Sequence, residues 1–160
     1  MNVGDETTSP GRTITEADLV GFASLTGDWH PQHADAEWAG AGRFRGRVAH
    51  GMMLLSYAVG LVAFDPERVV ALRGLGSATF KRPVRIGDTI RVRSRVAQVR
   101  PLEDGVALVE LDWRIVNQDD RIVARARPQA LWRVGEAIPE SNGVVPSSDP
   151  ADLYGERVLL

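Results

Sequence analysis

The stretch that most constrains this chain runs from residue 50 to residue 64. It contains Met52, Met53, Leu54, Leu55, Tyr57, Ala58, Val59, Leu61 and Val62, with no charged side chain between Gly51 and Phe64. A helix that is apolar around its whole circumference has no face to offer to water. The run is also too short to cross a bilayer, which takes about 20 residues. It is expected to be a buried helix that the rest of the chain wraps.

The second half supplies the wrapper. Residues 69–75 and 77–81 read as strands. Between 89 and 100, Ile90, Val92 and Val96 alternate with Arg91, Arg93 and Arg95. Between 106 and 117, Val109, Leu111, Trp113 and Ile115 alternate with Glu110, Asp112 and Arg114. Asn117-Gln118-Asp119-Asp120 reads as a turn, and 121–134 as a last strand with Ile122, Ala124 and Ala126 on one face. Alternation at period two, joined by short turns, means antiparallel sheet with one face covered. Pro128 cannot donate to a ladder and calls for an edge or a bulge. An α+β arrangement, a curved antiparallel sheet wrapped around one long buried helix, accommodates both halves.

Before the long helix, residues 1–11 are polar and read as a loose lead-in. Thr15 is placed to cap a helix whose first turn carries Glu16 and Asp18, where the dipole favours negative charge. Leu19, Phe22 and Ala23 form its apolar face, and Gly27 suits the left-handed residue that ends it. Residues 28–31 read as a loop, with Pro31 driving His30 toward extended backbone. Residues 35–41 read as a short helix capped by Asp35. Residues 12–134 are expected to be a single domain, and 135–160 an irregular tail.

Composition excludes several functions. A net charge of -2 and a pI near 5.9 argue against nucleic acid as a partner. The chain has no cysteine, which rules out disulfides and thiolate chemistry and fits a cytoplasmic protein. No membrane association is expected.

The chemistry concentrates in one place. The chain has three histidines, and His30, His33 and His50 all fall inside or just after Thr26-Gly27-Asp28-Trp29-His30-Pro31-Gln32-His33-Ala34-Asp35, with Ala49-His50-Gly51-Met52 downstream. Histidine is the side chain whose unperturbed pKa lies nearest neutral pH. With Asp28 shortly before His33 and Pro31 between them, the stretch has the makeup of an acid–base site. Taken singly, Asp28 reads as a turn residue, and His33 equally well as a hydrogen-bonded loop histidine. Asp28, His30, His33 and Asp35 could be read as metal ligands, but His-x-x-His spans a proline loop and lacks a third strong ligand at a recognised spacing. No metal and no cofactor are expected.

These residues resemble the MaoC-like hydratases and dehydratases, whose best-known members are (R)-specific enoyl-CoA hydratases. The similar motifs are Phe22-Ala23-Ser24-Leu25-Thr26-Gly27-Asp28-Trp29-His30-Pro31-Gln32-His33-Ala34-Asp35, Ala49-His50-Gly51-Met52-Met53-Leu54-Leu55-Ser56 and Phe80-Lys81-Arg82-Pro83-Val84-Arg85-Ile86-Gly87-Asp88-Thr89. The resemblance covers residues 12 to 134 and implies the hotdog fold. It implies that Asp28 and His33 share one water and carry the proton transfers of adding water to an α,β-unsaturated thioester. It also implies that the backbone N–H at Gly51 stabilises charge on the thioester oxygen. One departure stands out: where the family usually has asparagine to support the active-site loop, this chain has His30.

Pro31, His50, Met52 and Ser56 are expected around the site, with His50 orienting the helix start and Met52 in the core or lining an acyl tunnel. Ser56 either faces the site or bonds back to its own helix. Arg91, Arg93 and Arg95 read as a solvated strand face or as contacts to coenzyme A phosphates; Arg82 and Arg85 stay open in the same way. The expected partner is an acyl thioester of coenzyme A or of a carrier protein. A homodimer is expected, because one hotdog leaves a sheet edge and half a pocket open. Two other readings are a hotdog thioesterase and a non-catalytic acyl-binding or dehydratase partner subunit.

Overall fold

The computed structural model describes residues 1–103 and 105–134. The tail expected at 135–160 lies outside the described residues. The chain runs β1 (Glu6–Thr8), β2 (Arg12–Thr13), α1 (Glu16–Thr26), α2 (Pro31–Ala34), α3 (Ala36–Ala41), α4 (Gly51–Leu61), β3 (Val69–Phe80), β4 (Thr89–Pro101), β5 (Val106–Val116) and β6 (Ile122–Arg133). The strands form one antiparallel sheet in the order β1-β4-β5-β6-β3, and β2 also pairs with β4.

Residues 1–11 are not the loose lead-in that their polarity suggests. Glu6, Thr7 and Thr8 pair with Arg95, Ser94 and Arg93, and Arg12–Thr13 pairs with Ile90 and Thr89. The side chains of β1 are exposed, so hydropathy carries no trace of the strand. Its contribution is backbone hydrogen bonds that cover the edge of β4. The two strands expected at 69–75 and 77–81 are one strand, β3, broken by register shifts, the last between Leu75 and Ala78. Pro128 lies in β6, an interior strand, so the edge reading fails and the bulge reading holds. It is opposite Leu75, where the β3 register slips.

The core forms where α4 meets the sheet. Met53, Leu54, Leu55 and Ala58 bury against Val92, Val96, Leu111, Trp113, Ile115 and Ala126. Trp113 is buried together with its polar end, because the indole N–H donates to Ser94 Oγ at 3.0 Å. The expectation that α4 is buried on every side fails on one face. Met52 is 58% exposed and Val59 38%, and Ser56 between them is exposed too. These positions follow helical spacing along one stripe, and the sheet covers only the stripe opposite.

Candidate active site

The site is assembled from the end of α1, the turn after it and the start of α4. Thr15 caps α1 with a full capping box, and Gly27 ends it at φ 76°, donating its N–H to Ala23 O. The Thr26 hydroxyl donates back to Phe22 O at 2.7 Å, and the Asp28 N–H donates to Thr26 Oγ1 at 3.3 Å. The chain then closes a single helical turn, α2, which starts at the last residue of the expected loop 28–31. Pro31 opens that turn and His30 caps it, its Nδ1 accepting from Gln32 N–H at 3.1 Å. His33 lies on this turn. Asp35 caps α3 as expected.

Asp28, His33 and His50 each bring one carboxylate or imidazole atom within 4.8 Å of the others. His33 Nδ1 is 2.7 Å from Val48 O. A carbonyl only accepts, so Nδ1 carries the proton and Nε2 keeps a free lone pair. The His33 and His50 rings stack at 3.7 Å between centroids, tilted by 23°. His50 is buried, and its Nε2 lies 3.0 Å from the Asp28 carbonyl oxygen. Burial holds His33 below the ordinary histidine range; His50 and His30 push the same way, while the Val48 hydrogen bond and Asp28 oppose them. The Asp28 side chain is 51% exposed and accepts from His30 N–H at 3.3 Å. The Asp28 carboxylate and a His33 ring nitrogen thus stand at a spacing that one water can span with two ordinary hydrogen bonds.

A cavity of about 270 Å³ opens beside His33, lined by Gly51, Phe80, Lys81 and Arg82 among others. Gly51 is the first residue of α4, so its N–H lies in the turn that has no intrahelical acceptor, at the positive end of the dipole. A Cβ here would come within 2.8 Å of the Phe80 ring, so any larger residue would have to push that half-exposed ring aside.

Not every expected position lines the cavity. Asp28 is not among the cavity-lining residues, and neither are Met52 and Ser56. Ser56 donates back to Met52 O at 3.0 Å, the self-bonding alternative. Arg82 lines the cavity and donates to Ile122 O at 2.6 Å; Arg85 donates to Phe44 O. Arg93 pairs with Asp120 and Arg95 with Glu6, as a solvated strand face does. Gln32, Phe44 and Phe80 line the cavity without having been singled out for it; the apolar character of Phe44, next to a basic run, was the one available signal. The Asp28, His33 and His50 atoms are close enough to suggest a cation. His50 Nε2 and His33 Nδ1 are already committed to carbonyls. Among the described residues no helix is long and apolar enough to cross a membrane.

An antiparallel sheet packed on one long helix is the arrangement of a hotdog protein. A Mycobacterium tuberculosis protein described as having a double hotdog fold superposes with a TM-score of 0.76 at 20% identity, covering 94% of this chain and 51% of that one. Residues 2–113 match the MaoC like domain, and the chain belongs to that family. It is 45% identical over 91 residues to Protein MaoC of Klebsiella aerogenes, covering 56% of this chain but 27% of that protein. It is 31% identical over 122 residues to an (R)-specific enoyl-CoA hydratase of Aeromonas caviae, covering 76% of this chain and 82% of the hydratase. The chain thus spans about a quarter of the first of these relatives and most of the second. Other relatives are named as a 3-hydroxybutyryl-CoA dehydratase, an (R)-specific enoyl-CoA hydratase and a 3-hydroxyacyl-thioester dehydratase.

Proposed function

We propose that this protein reversibly adds water to an α,β-unsaturated acyl thioester, and in reverse dehydrates a 3-hydroxyacyl thioester, with Asp28 and His33 as the acid–base pair. The observation that carries this is the spacing: the Asp28 carboxylate and a His33 ring nitrogen within 4.8 Å, beside a cavity that Gly51 also lines. In hydration the pair removes a proton from the bound water as its oxygen bonds to C3, and returns a proton to C2 as the enolate collapses. A carboxylate and an imidazole held below the ordinary histidine range can exchange those roles in either direction. The Gly51 N–H is the donor for the thioester oxygen, where negative charge accumulates. By likeness to the (R)-specific relatives, the 3-hydroxyl product is (R).

Lys81 and Arg82 on the cavity wall support a substrate that carries phosphate on its handle, as coenzyme A and a carrier-protein pantetheine both do. The homodimer is also part of the proposal. β3 is a sheet edge that exposes Val70, Leu72, Leu75 and Phe80, and the uncovered stripe of α4 exposes Met52 and Val59. Pairing two such edges would cover both and bring Met52 and Ser56 toward an enclosed pocket. The absence of cysteine supports a cytoplasmic setting.

The test follows the loss of enoyl-thioester absorbance with crotonyl-CoA, longer enoyl-CoA chains and carrier-bound forms. Turnover of any of them to the 3-hydroxy product is expected. If none is hydrated while the thioesters are cleaved to free acid, the thioesterase reading replaces this one; if nothing reacts, the acyl-binding reading does.

A further inference from the structure

His50 stands at the N-cap of α4, yet its side chain makes no capping bond. Only 2% of it is exposed. Nε2 lies 3.0 Å from the Asp28 carbonyl oxygen, and because that oxygen can only accept, Nε2 holds the proton. One ring face covers His33 at 3.7 Å, and Phe22 packs against the ring at 5.0 Å and 49°. Nδ1 is enclosed and has no hydrogen-bond partner. With Nε2–H engaged, Nδ1 is a bare lone pair, and a second proton there would have no acceptor.

We propose that His50 is a positioning residue with two tasks: it anchors the Asp28 backbone through Nε2, and its ring seals one face of His33 so that His33 stays neutral and ready to accept a proton. The proposal rests on the Asp28–His33 reading above. An imidazolium is stabilised by water around its ring, and a second imidazole stacked at van der Waals distance removes that water from one face. The remaining charged or titratable neighbours of His33 are Asp28 and His30 from the α1–α2 connection and Lys81 and Arg82 along the cavity. Asp28 alone among them favours the protonated form. The His50 ring is thus set against Asp28, and the two act alongside the general burial of His33 and its Val48 hydrogen bond in setting how readily it takes up a proton.

The test reads His33 directly. Three histidines give three ring Cε1–H signals, and the one missing from His33→Gln identifies His33. His50→Gln and His50→Asn both keep a side-chain N–H for the Asp28 carbonyl and both remove the ring. In each, the affinity of His33 for its proton is expected to rise about threefold or more, and the acid limb of kcat/KM is expected to move to higher pH by the same factor. Two variants of different size guard against one failing to fold. A folded variant in which His33 titrates as in the parent overturns the proposal, even if kcat falls, because a purely structural residue lowers turnover without moving that titration. The titration needs no turnover, so it is decided separately from the hydratase reading.

Discussion

α1 and α4 are joined at two places by the same kind of parts, and the two places are finished in opposite ways. Near the middle of α4, Tyr57 donates to Asp18 Oδ1 at 2.7 Å, Arg12 donates to the same oxygen at 2.8 Å, and the Thr15 hydroxyl donates to Oδ2 at 2.7 Å. Arg12 also lies over the Tyr57 ring at 4.0 Å. Both oxygens of the Asp18 carboxylate are bonded, and its side chain is only 10% exposed. At the start of α4, by contrast, the Asp28 carboxylate is half exposed, His33 Nε2 is free and His50 Nδ1 has no partner. A carboxylate whose hydrogen-bonding capacity is full can fix a helix but cannot react. One left partly unsatisfied costs stability and keeps its capacity for substrate.

The comparison breaks most visibly if the open end turns out not to be chemical. Asp28→Asn and His33→Ala are each expected to lower kcat by roughly a hundred- to ten-thousand-fold, the range of a lost general acid or base, while thermal unfolding stays close to the parent's. Parent-like turnover in either variant would remove that residue from the pair. A large loss of stability would mean that the open end is a second clasp.

The closed end is expected to show the reverse. Asp18→Asn should cost about 1–3 kcal/mol, the usual range for a lost hydrogen-bonded charge, with turnover per folded molecule retained. The dependence on pH follows from Asp18 itself. Burial works against its ionisation, but bonds from Tyr57, Thr15 and Arg12 outweigh it and hold the carboxyl far below the ordinary carboxylate range. A group depressed in the folded state contributes fully above its unfolded pKa of about 3.9 and loses that contribution as pH falls further. Denaturant melts between pH 7 and pH 3 should therefore show the gap between parent and Asp18→Asn closing toward the acid end. A gap that stays constant would mean that the carboxylate's charge is not what the clasp uses.

What the sequence made legible differs between the ends in the same way. The open end announces itself: all three histidines of the chain cluster there with Asp28, and glycine and proline punctuate them, so the cluster stands out in the order of residues, while the place of Gly51 in it comes from the resemblance to the MaoC-like family. The clasp was half visible. Thr15 and Asp18 read correctly as a helix start, but Arg12 and Tyr57 join them only through the crossing of β2, α1 and α4, which no local pattern encodes. Strand β1 was illegible for a related reason, since it offers the sheet backbone and leaves its side chains in water. The all-round burial expected of α4 failed at Met52, Ser56 and Val59 because hydropathy tells which residues avoid water without telling which chain supplies the cover.

The smallest expected effect concerns His30, which stands between the two behaviours. It lies in the open cluster but behaves like a member of the clasp: its Nδ1 accepts from Gln32 N–H, its own N–H donates to Asp28, and its ring meets Trp38 edge-on at 5.5 Å. These contacts hold the single turn that carries His33. Asparagine is a strong N-cap and can accept the same bond, so His30→Asn should retain the parent's kcat within about twofold or raise it. His30→Ala removes the cap and should cost about 1 kcal/mol of stability with a modest fall in kcat, read from paired melts and initial rates. A collapse of turnover by several orders of magnitude in His30→Asn would instead place the His30 ring among the groups that touch substrate. The boundary between open and closed would then fall on the other side of Pro31.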